Sequence, residues 1–385
     1  MDSPITLFPW DNISHSVDEP LLRILHSGEI RQGFQVDLFE EKIGEYIGNR
    51  QILTTCSGTA ALQLALRAGK IGYVNGGTIK DEVITTPMTC VATNMPIFGA
   101  GAIPVFADIH ADTGLINVDS VEKKITRFTK AIICVHWGGL PCDMVNLREI
   151  AKKYNLLLVE DAAHAFGATE IGTQNNIGNH SADITMFSFQ ALKQITCIDG
   201  GALSIADPGI YRLAKLARWY GIDRDRAPID SRHEEDIEEW GLKWHMNDVN
   251  ATIGIEQIKF ASFILDSQRH NASTISSNID HDRFRPAFKK QALAHSSFWL
   301  FTILLRDQED RLKFIKYMRE KNIRVSQIHT RNDHQKVFAP FNRGSLPGVD
   351  SFFERMICIP VHYKLTPNDI DRITDALEGF NKETS

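Results

Sequence analysis

Paired cysteines are missing from this 385-residue chain. Its six cysteines (Cys56, Cys90, Cys134, Cys142, Cys197 and Cys358) are scattered with no C-x-x-C. That argues against a zinc site and against a disulfide framework, and leaves reduced thiols in a cytoplasmic protein as the expectation. Long apolar runs are missing too. The longest, FWLFTILL at 298–305, is far too short to span a bilayer. MDSPITLFPWDNISHSVDEP at the N-terminus has no basic start followed by an apolar core, so no secretory signal is expected. The N-x-S matches at Asn12, Asn179 and Asn271 then read as chance. There is no basic stripe either: Lys and Arg total 42 against 48 Asp and Glu, interspersed, for a net charge of −6. Nucleic acid is therefore not the expected partner, and an anionic substrate needs a local basic pocket. Neither a G-x-G-x-x-G after a strand nor a G-x-x-x-x-G-K-[ST] loop occurs, which removes the dinucleotide dehydrogenases and the P-loop enzymes.

What is present alternates. Between about residue 50 and 205, short apolar β-branched runs (81–87, 102–109, 130–137, 155–163, 183–189, 201–206) are separated by helical patterns such as TAALQLALRAG (59–69) and VNLREIAKKYN (145–155). Such alternation predicts a mostly parallel sheet flanked by helices. Residues 246–279 read as one long helical stretch. Beyond it, FWLFTILLRD, RLKFIKYMREKN, IRVSQI, FERMICIP and PNDIDRITDALEGF predict a strand–helix–strand–strand–helix series. The expected architecture is α/β. A large domain with an N-terminal arm takes residues 1–262, and a smaller C-terminal α/β domain takes 263–385.

Ligands in parallel sheets bind beyond the carboxyl ends of the strands, and Pro87 to Thr89, Asp161 and Ser188 to Lys193 fall there. Ser57-Gly58-Thr59 opens a helix, where small residues let backbone N–H groups approach an anion. Plain capping by Ser57 is the alternative. Asp161 ends the run LLLVED (156–161), and an acid there is costly without a partner. A protonated ring nitrogen would serve, as would a helix cap or an arginine. Lys193 stands alone in MFSFQALKQITCIDGGALSI (186–205), between two apolar runs, with Ser188 on the same turn. A lone lysine in such a place is paired or acts as a nucleophile. An aromatic-flanked Lys243 precedes the helical stretch at 246. A phosphate-binding helix start, a buried acid for a pyridinium and a lone lysine together describe a site for pyridoxal 5′-phosphate.

SGTAALQLAL, DEVITTPMTCVAT, GAIPVFADI, VHWGGLPCDM, VEDAAHAFGA, MFSFQALKQITCIDGGAL and MNDVNATIGIEQ, in this order over residues 30–260, resemble the DegT/DnrJ/EryC-type sugar aminotransferases of the aspartate-aminotransferase fold. The resemblance implies a homodimer with active sites at the subunit interface. It also implies transfer of an amino group from L-glutamate to a keto-sugar, usually nucleotide-linked. By position, Lys193 matches the Schiff-base lysine and proton shuttle, and Asp161 the acid on the pyridine nitrogen. His164 matches the residue bonding the phenolic oxygen. Gly58, Thr59 and Ser188 match the phosphate cradle, and Lys243 a group reaching the phosphate from the partner subunit. Three positions depart from the pattern. Cys90 stands where an aromatic usually stacks on the cofactor, Ile198 replaces a loop glycine, and His245 stands where Arg or Asn is frequent.

SQIHTRNDHQKVF (326–338) offers His329 as the best candidate for a substrate contact, with a metal site or a solvated turn as the alternatives. Trp137 and Phe166 read as core, and the charged loop 223–240 as mostly solvated, with arginines able to meet a diphosphate. A pyridoxal-phosphate dehydratase or eliminase, a free keto-sugar-acid aminotransferase and a non-catalytic homologue are the rival functions. Lys193 argues against the dehydrating branch, whose members carry His there.

Overall fold

The computed structural model describes residues 3–9, 11–225, 237–277, 279 and 283–382. The chain opens with α1 (Asp18–Ser27) and α2 (Phe34–Ile47) and enters the large sheet through β1 (Ile52–Thr55). Then come α3 (Gly58–Ala68), β2 (Glu82–Thr85), α4 (Val91–Gly99), β3 (Ile103–Phe106), α5 (Val118–Lys124), β4 (Thr129–Val135), α6 (Met144–Tyr154), β5 (Leu157–Asp161), β6 (Ile184–Ser188), β7 (Gly201–Ile205) and α7 (Pro208–Ala217). Many helix starts follow from side-chain caps. Ser57, Asn117, Asp143 and Asp207 each accept an N–H from the first turn of α3, α5, α6 and α7.

The seven strands lie in the order β1-β7-β6-β5-β4-β2-β3. Only β7 runs against its neighbours β1 and β6; the other pairings are parallel. Strand residues are buried on both faces in alternation. Ile132, Leu158 and Phe187 pack with α2, α6 and α8 (Asp248–Ile258), while Ile133, Val159 and Met186 pack with α3 and α7. The parallel strands therefore deliver their carboxyl ends to one edge, where β5 ends in Asp161 and β6 in Ser188.

The stretch 246–279 is two helices, α8 and α9 (Ala261–Ser277), with Lys259 capping the first. The expected boundary at 262 falls inside α9, which buries Ile264 in the large core and Ile275 in the small one. The small unit continues with β8 (Phe284–Pro286), β9 (Phe301–Leu305), α10 (Gln308–Glu320), α11 (Pro347–Arg355), β10 (Met356–Ile359) and α12 (Pro367–Lys382). Its antiparallel sheet, β10-β9-β8, departs from the expected series in three ways. IRVSQI forms only single bridges at Ile323 and Ser326, the first half of FERMICIP closes α11, and β8 is additional. Alternation again assigns the faces. Ile303 and Ile357 join the small core, whereas Leu304 and Cys358 pack toward the large sheet with Trp137 and Phe338.

A methyl group placed on Gly201 would lie 2.6 Å from the Ser57 carbonyl oxygen and 2.7 Å from the Gly58 nitrogen. The start of β7 thus packs directly on the turn that opens α3, and backbone there cannot yield cheaply. Gly201→Ala is expected to cost about 1–3 kcal/mol of stability and to weaken cofactor binding. Denaturant titration and a pyridoxal-phosphate titration of the same protein check both effects.

Candidate active site

The helix start comes first. Ser57 Oγ accepts the Ala60 N–H at 3.1 Å, so the capping reading of Ser57 is realised. The N–H groups of Gly58 and Thr59 belong to the first turn, which has no carbonyl partners inside the helix. A Cβ at Gly58 would stand 3.0 Å from Ser188 Cβ and 3.2 Å from its hydroxyl. The absent side chain is what lets the Ser188 hydroxyl reach the helix end.

Successive residues of β5 face opposite sides. Glu160 turns to one, 3.3 Å from His136, with Ser181 Oγ donating to it at 2.6 Å. Asp161 turns to the other and is 4% exposed. Its carboxylate accepts the Thr93 hydroxyl at 2.6 Å and the Ala163 N–H at 3.1 Å, and Thr93 shares a 2.7 Å bond with Thr89. Among the described residues Asp161 has no arginine or other ion-pair partner. Burial pushes its pKa up, against the pull of Thr93 and Ala163.

Lys193 rides on the β6–β7 loop, which is closed by the Phe189 N–H bonding Gly200 O at 2.9 Å. Asn250 ties it down at Cys197 O and Asp199 O. Burial lowers the lysine's pKa to about 8, with Asp161 and Cys90 opposing. The amine is thus poised to react near neutrality. His164 Nδ1 accepts the Gly138 N–H at 3.3 Å, which leaves the proton on Nε2. Burial, then the Lys193 charge, holds this imidazole well below its usual pKa, so Nε2–H is a neutral donor.

These groups line one cavity of about 460 Å³, together with Cys90, Thr93 and His329. The His329 ring lies 5.9 Å from that of His164. Its Nε2 is buried without a hydrogen-bond partner, and burial lowers its pKa to about 4. Its neighbours in IHTRNDH are anchored rather than solvated. Arg331 pairs with Asp333 at 2.6 Å, and Asn332 bonds Asn94 and Thr89 O at 2.8 Å each. Among the described residues no group of three or more His, Cys, Asp or Glu is placed to hold a metal. Lys243 is exposed and lies outside this chain's cavity lining. Residues 226–236 of the charged loop lie outside the described residues. Trp137 and Phe166 are both core.

One wall was not anticipated. Trp299, just before β9, stacks on His164 with ring centroids 3.9 Å apart, and Lys193 Nζ lies 3.7 Å from the indole centroid. In sequence, FWLF reads as core. The available signal is that a buried indole N–H needs an acceptor, here Leu192 O at 2.8 Å. Phe298 takes φ +48°, a left-handed conformation that costs a bulky residue roughly 1–2 kcal/mol. Phe298 itself belongs to the small core while Trp299 lines the cavity.

The cavity fits pyridoxal phosphate: an anion site at a helix start, a spare buried negative charge, a neutral donor and an acidified lysine. The profile of the DegT/DnrJ/EryC1/StrS aminotransferase family matches residues 12–378. The chain belongs to that family. It is a pyridoxal-phosphate-dependent aminotransferase of the α/β kind. AtS13 from Actinomadura melliaura is 32% identical with a TM-score of 0.90, over 98% of this chain and 99% of that one. The sugar aminotransferase CalS13 from Micromonospora echinospora is 29% identical with a TM-score of 0.88, over 98% and 100%. Spr1654 from Streptococcus pneumoniae in its PLP form is 26% identical with a TM-score of 0.87, over 99% of each.

Ile198, in place of the family's loop glycine, sits at φ +72° with its side chain exposed. A β-branched residue there is strained. Ile198→Gly is expected to raise stability by about 1 kcal/mol, read as a higher denaturation midpoint.

Proposed function

We propose that this aminotransferase moves an amino group from L-glutamate to a keto-sugar, nucleotide-linked, in amino-sugar biosynthesis, as a cytoplasmic homodimer with shared active sites. The observation that carries the reading is the convergence of the Lys193 amine, the Asp161 carboxylate and the α3 start on one cavity. Bound pyridoxal phosphate supplies an electron sink for the pair left when a proton leaves the carbon beside nitrogen. Gly58 and Thr59 N–H groups and the Ser188 hydroxyl bind the phosphate. Asp161 keeps the ring nitrogen protonated, and that cation is the partner its buried charge needs. His164 Nε2–H donates to the phenolic oxygen. Lys193 carries the cofactor and, when released, moves a proton to or from the substrate carbon. The unpartnered Nε2 of His329 meets a substrate oxygen. Cys90 flanks the cofactor without stacking on it.

Lys243 serves the phosphate of the partner subunit, in keeping with its exposure here. Exposed apolar side chains favour a second copy: Phe34 is 70% exposed, and α1 buries no side chain although it carries Leu22 and Leu25 three residues apart. Among the described residues no helix is long and apolar enough to cross a membrane.

The deciding experiment is the visible spectrum of the purified holoenzyme before and after L-glutamate, followed by keto-sugars. Loss of the visible band with glutamate, and its return with a keto-sugar, support the assignment; an inert band refutes the donor. Lys193→Ala should abolish turnover with the fold intact by circular dichroism. Asp161→Asn should cut the rate about a hundredfold or more, measured as glutamate-dependent oxoglutarate release. Oxoglutarate formed without an aminated sugar would sink the acceptor assignment.

A further inference from the structure

We infer that Trp299 is a positioning residue for Lys193: its indole face holds the lysine amine, and favours its charged form over its neutral one, whenever that amine is not bonded to the cofactor. The inference rests on the reading of Lys193 as the cofactor-bearing lysine.

Three observations carry it. The amine nitrogen lies 3.7 Å from the indole centroid, well inside the roughly 6 Å range of a cation–π contact. The indole itself is fixed. Its N–H bonds the carbonyl of Leu192, the residue before the lysine, and its ring stacks on His164 and, at 5.0 Å and 28°, on Phe8. It is only 6% exposed. The backbone is also strained at Phe298 to present it. A lysine is rotamer-rich, so in this pair the lysine is the part that needs holding.

The surrounding charges leave that task to the ring. Asp161 on β5 and Cys90 at the start of α4 both favour the charged amine, but Asp161 is engaged by the cofactor nitrogen when the site is loaded. His164 and His329 face the amine as neutral imidazoles, both pushed down by burial, and neither offers it a counter-charge. Between the two half-reactions Lys193 is free and must stay beside the reacting carbon. A rigid aromatic face keeps it there without forming a salt bridge that would have to break at each transfer.

The test uses cofactor-stripped wild type, Trp299→Phe and Trp299→Leu, with pyridoxal phosphate added and covalent loading followed by the visible band from pH 6 to 10. In loading, the neutral Lys193 amine adds to the cofactor aldehyde and water leaves. The rate therefore rises as the amine deprotonates, with a wild-type midpoint near pH 8. Loss of the π face destabilises the ammonium, so the midpoint should fall by about 0.5–1.5 pH units in Trp299→Leu and by less in Trp299→Phe. The cofactor's own titrations are common to all three proteins, so the differences belong to the site. Coincident midpoints, or a rise in the variants as admitted water would give, overturn the inference. Should Trp299→Leu not fold, the smaller fall in Trp299→Phe decides alone. Lys193→Ala separates the two readings. Covalent loading that survives in it, or that never occurs in wild type, removes the assignment of Lys193 and this inference with it. Loading through Lys193 with unshifted midpoints removes this inference only.

Discussion

Asp161 is held at the end of a buried strand with its charge only partly answered, and the site is organised around that deficit. Two hydrogen bonds, from Thr93 and Ala163, favour the ionised carboxylate. Burial works against them and wins, since the net shift is upward. A cation placed in the cavity would reverse the balance. The reverse holds for Lys193, whose amine burial acidifies while Asp161 resists. Burial thus sets both groups in reactive states, an acid short of a cation and an amine partly relieved of its charge, and each group's own charge pulls the other back only in part. Neither would behave so on the protein surface.

That electrostatic arrangement depends on close backbone packing. Gly58 lets Ser188 approach the α3 start, and Gly201 lets β7 press against the same turn. β7 is also the one strand of the large sheet that runs antiparallel to its neighbours, and it comes directly from the Lys193 loop. The strand reversal therefore has a chemical consequence: it folds the lysine back over the carboxyl edge instead of carrying it away through a helical crossover. The strain at Ile198 lies in this loop, two residues before the glycine pair, where a residue with a side chain has been accepted at a position that favours glycine.

The large sheet and its chemistry were legible in the sequence because both are local patterns. Buried parallel strands read as unbroken apolar runs, so an acid ending one and a lysine between two of them stand out. β1 did not stand out, being four residues beside a louder helix, and neither did β8, which is three. IRVSQI has strand composition, but its backbone pairs on two sides with Ile5 and Cys358 at single positions, and no local pattern encodes a partner that distant. Trp299 was hidden for a related reason. Its role comes from a backbone twist at Phe298 and from contacts with His164 and Lys193, more than a hundred residues earlier, while its own neighbours spell an ordinary core strand. His329 stood out as a candidate because a histidine among polar loop residues carries its own signal, and its ring does line the cavity. The anchoring of that loop through Asn332 and Arg331 could not.

The division of labour between the two sheets follows from these origins. The groups proposed to meet the cofactor (α3, Asp161, His164, Ser188, Lys193) come from the large unit, where the strand ends carry them to one cavity. Trp299 and His329, which line the same cavity and are proposed to face the substrate, come from the small one. They are set against the large sheet by the interface of Leu304, Phe338 and Trp137 and by the Asn332–Asn94 and Asn332–Thr89 bonds. On the proposed roles, substrate recognition rests on residues whose positions depend on docking between the units, and proton transfer on residues fixed within one. On that reading a change of acceptor alters the first set, and the charge balance of Asp161 and Lys193 is insulated from it except at one point. Trp299 belongs to both sets, since the same indole lines the substrate space and touches the catalytic amine. On this reading, substitutions there couple specificity to the chemistry itself.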